Sequence, residues 1–176
     1  MARGLDWTIV AVGDVVRHVM DQVKNPENAG ITHYLPGGGI SAERLMINSW
    51  QPVDDGLMGP AFHMRFQPGH TLYKSRVPHG VGVADRIGIC ANTTYVLEPI
   101  DTSVLLPEFL PFLLLTDAFR NFEHRNNRGS TNLFLNFSDI ARYEFAMPPT
   151  EEQLQIVEVM HAAEQALESH LALIDA

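Results

Sequence analysis

Between residues 125 and 132 the chain gathers side chains with paired hydrogen-bonding groups: Arg125, Asn126, Asn127, Arg128, Thr131 and Asn132. An arginine fork matches the O6 and N7 acceptors of guanine, and an asparagine amide matches the N6 donor and N7 acceptor of adenine. Such a string suits the reading of base edges in a major groove, although a solvated polar loop has the same composition. A second cluster, Lys74, Ser75, Arg76, His79 and Arg86, flanks Gly80 and Gly82. Cations beside glycines, whose backbone N–H groups a ligand can approach closely, suit phosphate and sugar contacts that position a reader without specifying sequence. An ordinary β-hairpin surface is the alternative.

Other chemistries find less support. Gly37-Gly38-Gly39 lacks the Lys-Ser/Thr of a phosphate loop, and no Gly-x-Gly-x-x-Gly is present. Eight histidines invite a metal, yet none are spaced as a His-x-x-x-His pair. His63, His70 and His79 are near one another in sequence, whereas His161 and His170 are too far apart on one predicted helix to share an ion. Cys90 beside a distant His would make a nucleophile pair, but its β-rich apolar surroundings favour a buried thiol. Met147-Pro148-Pro149-Thr150 lacks the Asn or Asp with which an amino-methyltransferase holds its target base. The expectation is a protein with no catalytic residue, no metal and no cofactor.

The 176 residues suit one domain with an appended element, and 45% hydrophobic with 19% charged residues is a globular composition. The single cysteine excludes an internal disulfide. The N-terminus has no apolar run, and Val104 to Leu115, interrupted by Pro107, Glu108 and Pro111, is too short to span a bilayer. These features predict a soluble, cytoplasmic protein without membrane association. The net charge of −9 counts against nucleic-acid binding. Part of it resides in the segment from Glu151 to Asp175, which has no Lys or Arg.

The elements that must position these groups follow from periodicity and turn chemistry. Trp7 to Val19 reads as a strand, a turn and one helical turn. Strands are expected over Ile31 to Leu35 and through Leu45, Ile47 and Trp50, and a strand–turn–strand over Ala61 to Arg76. Ile87 to Leu97 is the most β-like stretch. Leu110, Leu113, Leu114 and Phe119 predict one helix over Pro107 to Phe122. A polar loop over Arg125 to Thr131 precedes the alternating Leu133, Leu135 and Phe137. Ser138-Asp139 suits the start of a helical turn, and Tyr143, Phe145 and Met147 suit a last strand.

The tail differs in kind. Thr150 followed by Gln153 has capping-box spacing, and Ile156, Met160, Ala163, Leu167, His170 and Ile174 recur at alternating intervals of four and three. That is the seam period of a coiled coil, broadened by Val157 and Leu171, and it predicts a helix from about 150 to 175. One apolar stripe needs a surface, either the chain's own domain or a partner helix.

Pro148-Pro149-Thr150-Glu151-Glu152-Gln153-Leu154-Gln155-Ile156 resembles the Pro-Pro-x-x-Glu-Gln-x-x-Ile signature of Type I restriction-modification specificity subunits, where it opens a long helix. Four further segments resemble the family in order. They are Trp7 to Val15, Pro68-Gly69-His70-Thr71-Leu72-Tyr73 through Arg76, Gly88-Ile89-Cys90-Ala91-Asn92-Thr93 to Leu97, and Arg128-Gly129-Ser130-Thr131. His70 departs from the family's Asp.

The resemblance implies an α+β fold: a mixed, β-rich target-recognition domain over residues 1–149 and a C-terminal assembly helix over 150–176. It further implies one half of a bipartite double-stranded DNA site read by a non-catalytic subunit. The partners implied are a methyltransferase (M) subunit and, in the full complex, a restriction (R) subunit. Homodimerisation would run through Ile156, Met160, Ala163, Leu167, Leu171 and Ile174. On this reading Arg125, Asn126, Asn127, Arg128, Thr131 and Asn132 face bases, and Lys74, Ser75, Arg76 and Arg86 face phosphates. The competing expectation is a degenerate half-subunit that serves assembly alone, which the acidic charge favours.

Overall fold

Side-chain alternation along the strands sorts the chain into layers. The structure, a computed structural model, describes residues 7–42, 45, 47, 49–54 and 56–174, with the side chains of Glu168 and residues 171–174 outside the description. One four-stranded sheet runs β2 (Val16–His18), β9 (Thr94–Pro99), β6 (Thr71–Lys74) and β7 (Gly80–Val83). Tyr73 and Leu97 point from it into a core shared with the helices, and Leu72 and Val96 point the other way. The opposite layer is the sheet β4 (Gln51–Pro52), β3 (His33–Leu35), β8 (Gly88–Ala91) and β5 (Phe62–Phe66). From it Leu35, Met64 and Cys90 meet Leu72 and Val96, while Tyr34 and Ile89 form a third cluster behind. A period of two thus gives each sheet two apolar faces.

Two strand–turn–strand segments do not close on themselves. β5 and β6, joined by a turn with Gly69 at φ +86°, belong to different sheets, as do β8 and β9. The stretch over Ile87 to Leu97 is therefore two strands, broken where Asn92 N–H donates to Ala61 O. The strand expected through Leu45, Ile47 and Trp50 is absent where described (Met46 and Asn48 lie outside the described residues), and β4 begins only at Gln51. Leu45 and Ile47 are nevertheless buried.

The helix expected over Pro107 to Phe122 is two. α2 (Phe109–Leu115) ends at Thr116, whose extended backbone starts α3 (Asp117–Asn126). The Thr116 hydroxyl donates to Leu113 O and accepts from Phe119 N–H, so one side chain stops one helix and caps the next. The strand alternation expected through Leu133 and Leu135 yields only isolated bridges. Phe137 instead opens the short helix α4 (Phe137–Ile140). At the other end, β1 (Thr8–Ala11) leads through the single turn α1 (Val12–Val15) into β2 and pairs antiparallel with β10 (Glu144–Met147).

β10 delivers the chain to α5 (Thr150–Ile174). Gln153 does not close a capping box with Thr150. Its fully buried amide donates to Val104 O and Pro148 O and accepts from Leu106 N–H, each at 2.9 Å. Glu152 accepts from Trp7 Nε1 at 2.9 Å, tying the helix to the start of the described chain. Val157 enters the core, and Phe112 meets the His161 ring. The seam stripe lies to one side of this docked face. Ile156 is half-buried, Ala163 is exposed, and Met160 and Leu167 are 38% and 53% exposed. The side chains of Leu171 and Ile174 lie outside the described residues. The helix is thus docked by its first turns, and the described part of its seam remains largely uncovered.

Gln153→Ala should lower the unfolding free energy by about 3 kcal/mol, because three hydrogen bonds to one fully buried amide are lost together. Trp7→Phe, which deletes one partly buried bond, should cost about 1 kcal/mol. Urea unfolding of both variants checks the ranking, and equal costs would refute it.

Candidate nucleic-acid interface

The β6–β7 hairpin and the segment after α3 are remote in sequence and joined in space. Val77 N–H donates to Leu133 O and Leu135 N–H donates to Ser75 O, both at 3.0 Å. Phe134 bridges Arg76 on one side and Arg128 on the other. Arg128 and Phe134 exchange backbone hydrogen bonds of 2.8 and 3.0 Å, closing a loop whose tip, residues 129–132, is exposed. Gly129 sits at φ +87°, with Asn132 O 2.9 Å from where a Cβ would stand, so both conformation and space require glycine.

The two sequence clusters, apart from Arg86, therefore meet at one corner, but their members differ in what remains available. Arg125 lies in the last turn of α3 and Arg76 in the hairpin loop, both exposed; Lys74, at the end of β6, is half-buried. None of the three has an ion pair or side-chain hydrogen bond among the described residues. Thr131 and Asn132 are exposed at the loop tip. Asn127 caps α3, and its Oδ1 lies 2.8 Å from His79 Nε2.

Residues 79–174 match the family model of the Type I restriction modification DNA specificity domain. The chain belongs to this family. The matched span begins in the hairpin loop and includes the polar loop and all of α5. No curated protein matches the chain. Among solved structures, a chain from work on complex assembly and conformational transition of the type I R-M system matches with TM-score 0.76 at 19% identity over 95% of this chain. The HsdS subunit from Thermoanaerobacter tengcongensis matches at 0.75 with 18% identity over 95%. The Type-I restriction-modification system S subunit from M. genitalium matches at 0.64 with 16% identity over 99%. These likenesses show the fold, and the chain spans 44%, 44% and 43% of those three chains.

In this specificity domain several of the expected contact residues are spent on architecture. Arg128 places its fork on Asp139, Nε to Oδ2 at 2.6 Å and Nη2 to Oδ1 at 2.7 Å. Arg142 adds a bond of 2.6 Å to the same carboxylate, which is 1% exposed. The bidentate face that suits guanine is thereby occupied. Asn126 donates its amide to Phe122 O, ending α3. Arg125 and Asn126 are helical, so the polar loop begins only at Asn127.

The hairpin requires three corrections. Ser75 is buried, its hydroxyl donating to Thr93 O at 2.7 Å, so it is withdrawn from any phosphate. Gly80 and Gly82 face inward: a Cβ on Gly80 would stand 2.7 Å from Ser41 O, and one on Gly82 2.6 Å from Ile47. Their small size serves packing rather than a ligand's approach. Arg86 lies beyond the far end of β7, because Lys74 pairs with Gly80 but Thr71 with Val83. There it forks onto Asp85 at 2.9 and 3.0 Å and covers Trp50.

Asp139 was visible only as part of a helix start; the ion pairs that it makes across 11 and 3 residues had no signal in periodicity. A buried pair, the Tyr73 hydroxyl donating to Glu123 at 2.7 Å, likewise spans residues remote in sequence and leaves no mark in periodicity. Cys90 is buried, and burial pushes its thiol up to about 12, leaving it protonated and unreactive near neutrality.

The Arg128 fork holds the Asp139 carboxyl below its ordinary value of 3.8, against the opposing pull of burial. A depressed folded-state pKa contributes stability that is complete above 3.8 and disappears as pH falls through the lowered value. Acid unfolding of the wild type should accordingly steepen below pH 3.8. Asp139→Asn should be less stable at neutral pH and flatter across that acid range. Parallel profiles would show that the carboxylate does not control acid stability.

Proposed function

We propose that this specificity domain reads one half of a bipartite double-stranded DNA site with the corner formed by the β6–β7 hairpin and the loop after α3. The observation that carries the reading is the meeting there of three cations without an ion pair among the described residues, Lys74, Arg76 and Arg125, with the exposed Thr131 and Asn132. Most of the other described Arg side chains are engaged within the domain, by Glu98, Asp21, Asp85, Asp139 or the Ala42 carbonyl. Lys24 lines a separate open cleft with Gln22 and His63. A net charge of −9 is compatible with DNA binding when the free positive groups are concentrated in this way.

In this reading Lys74 and Arg76 hold phosphates, while Arg125, Asn127, Thr131 and Asn132 face the groove. Asn126 and Arg128 shape the loop from behind. The domain supplies no catalytic group; an M subunit docked on it methylates the site, and an R subunit joins in the full complex. The uncovered seam of α5 pairs with a second helix, which a second copy of the chain supplies in a homodimer. No described helix is long and apolar enough to cross a membrane, and the proposed partners place the protein with DNA in the cytoplasm.

Enrichment of duplexes from a random pool tests the reading. Arg125→Ala should erase preference at one or two base pairs. Lys74→Ala and Arg76→Ala should instead weaken binding to every duplex and reduce the salt slope by about 1 each. The assembly-only alternative, favoured by the net charge of −9, predicts no salt-dependent binding to any duplex.

Light scattering tests the seam. Met160→Glu with Leu167→Glu alters exposed positions and should convert a dimer into a folded monomer. A wild-type monomer would refute pairing between copies.

A further inference from the structure

Resting on the DNA-reading function above, we infer that His79 is a positioning residue that holds the side-chain amide of Asn127 for base recognition. The ring bridges the two halves of the corner. Its Nε2 lies 2.8 Å from Asn127 Oδ1, and its Nδ1 lies 3.3 Å from the carbonyl oxygen of Lys74. Behind it the ring stacks on Tyr73, centroids 5.8 Å apart and planes 20° apart. Tyr73 is itself fixed, fully buried, with its hydroxyl on the buried Glu123 carboxylate at 2.7 Å. A chain of contacts thus runs from the core, through an aromatic stack, to the first residue of the exposed loop.

The hydrogen-bond inventory makes this contact a constraint on orientation. A neutral imidazole carries one N–H, and an imidazolium carries two. The imidazolium donates to both Lys74 O and Asn127 Oδ1, leaving the amide NH2 outward. A neutral ring donating through Nδ1 to Lys74 O accepts at Nε2 from the Asn127 NH2, leaving Oδ1 outward. In both states one amide group is anchored and the other faces away from the ring. Asn127 therefore presents a defined donor or acceptor instead of a freely turning amide. Arg128, the next residue, is anchored by Asp139, so the entry to the loop is held from two directions.

The test uses the full chain, a random duplex pool and the 15N-resolved side-chain amide signals of Asn127. His79→Phe keeps the stack on Tyr73 and removes both nitrogens. It should move the Asn127 amide signals and lower discrimination at one base pair by about tenfold. Asn127→Ala should relax the same base pair, and the double variant no more than either single one. His79→Gln, which retains a donor and an acceptor, should restore part of the preference, and it carries the comparison if the Phe variant melts early. Unmoved amide signals, or losses at different base pairs that add in the double variant, would overturn the inference. A wild-type chain that enriches no sequence would overturn the DNA reading itself, and the amide signals would then report a purely structural contact.

Discussion

A buried carboxylate gripped by two arginines holds the corner between the β6–β7 hairpin and the loop after α3 in shape. Asp139 gives up its hydration, a cost that only close opposite charges and good hydrogen bonds offset. It accepts from Arg128, Arg142 and the Asn136 backbone. Through Arg128 it closes the exposed loop. Through α4 it reaches Ala141 and Tyr143, whose carbonyls accept from Gly13 and Val12 beside the β1–β10 ribbon. The loop that meets DNA in our proposal, the first described strand and the strand that delivers α5 thus share one electrostatic anchor.

That anchor is one of several internal partners that take up positive charge. An acidic chain has few cations for phosphates, and this one commits many of its arginines to internal pairs. Among the described residues, the cations left without an ion pair include Lys74 and Arg76 at the hairpin and Arg125 at the end of α3, with Lys24 elsewhere. Phosphate contacts supply affinity and register while side chains at base edges supply sequence. In our proposal, Lys74 and Arg76 on one segment, and Thr131 and Asn132 on the other, separate those two tasks.

Gln153 plays the corresponding role for the tail. A helix with one stripe docks wherever that stripe finds a surface, but Gln153 and Val157 fix the rotation of α5 by filling the domain core with an adjacent face. The stripe of Ile156, Met160, Ala163 and Leu167 is consequently turned aside. The first turns of α5 pack into the core of the preceding domain. The Gln and Glu of the resemblance have a physical reason here: one satisfies three backbone groups, and the other holds the indole N–H of Trp7.

Local pattern was enough to determine the α+β class, the extent of α5, the last strand and the family, because periodicity and ordered motifs are properties of contiguous residues. It also located the polar loop, since Arg, Asn and Gly cluster there without help from distant segments. It missed the break at Thr116, although Thr-Asp ahead of Phe119 is a capping signal, because the apolar spacing runs smoothly across it. Tertiary structure alone decided which strands pair, sending β5 and β6 into different sheets. It alone separated Arg128 and Arg86, spent on Asp139 and Asp85, from Arg76 and Arg125, which keep their charge available. Residue type states what a side chain can bind; whether that capacity is still free depends on partners that only folding brings within hydrogen-bond distance.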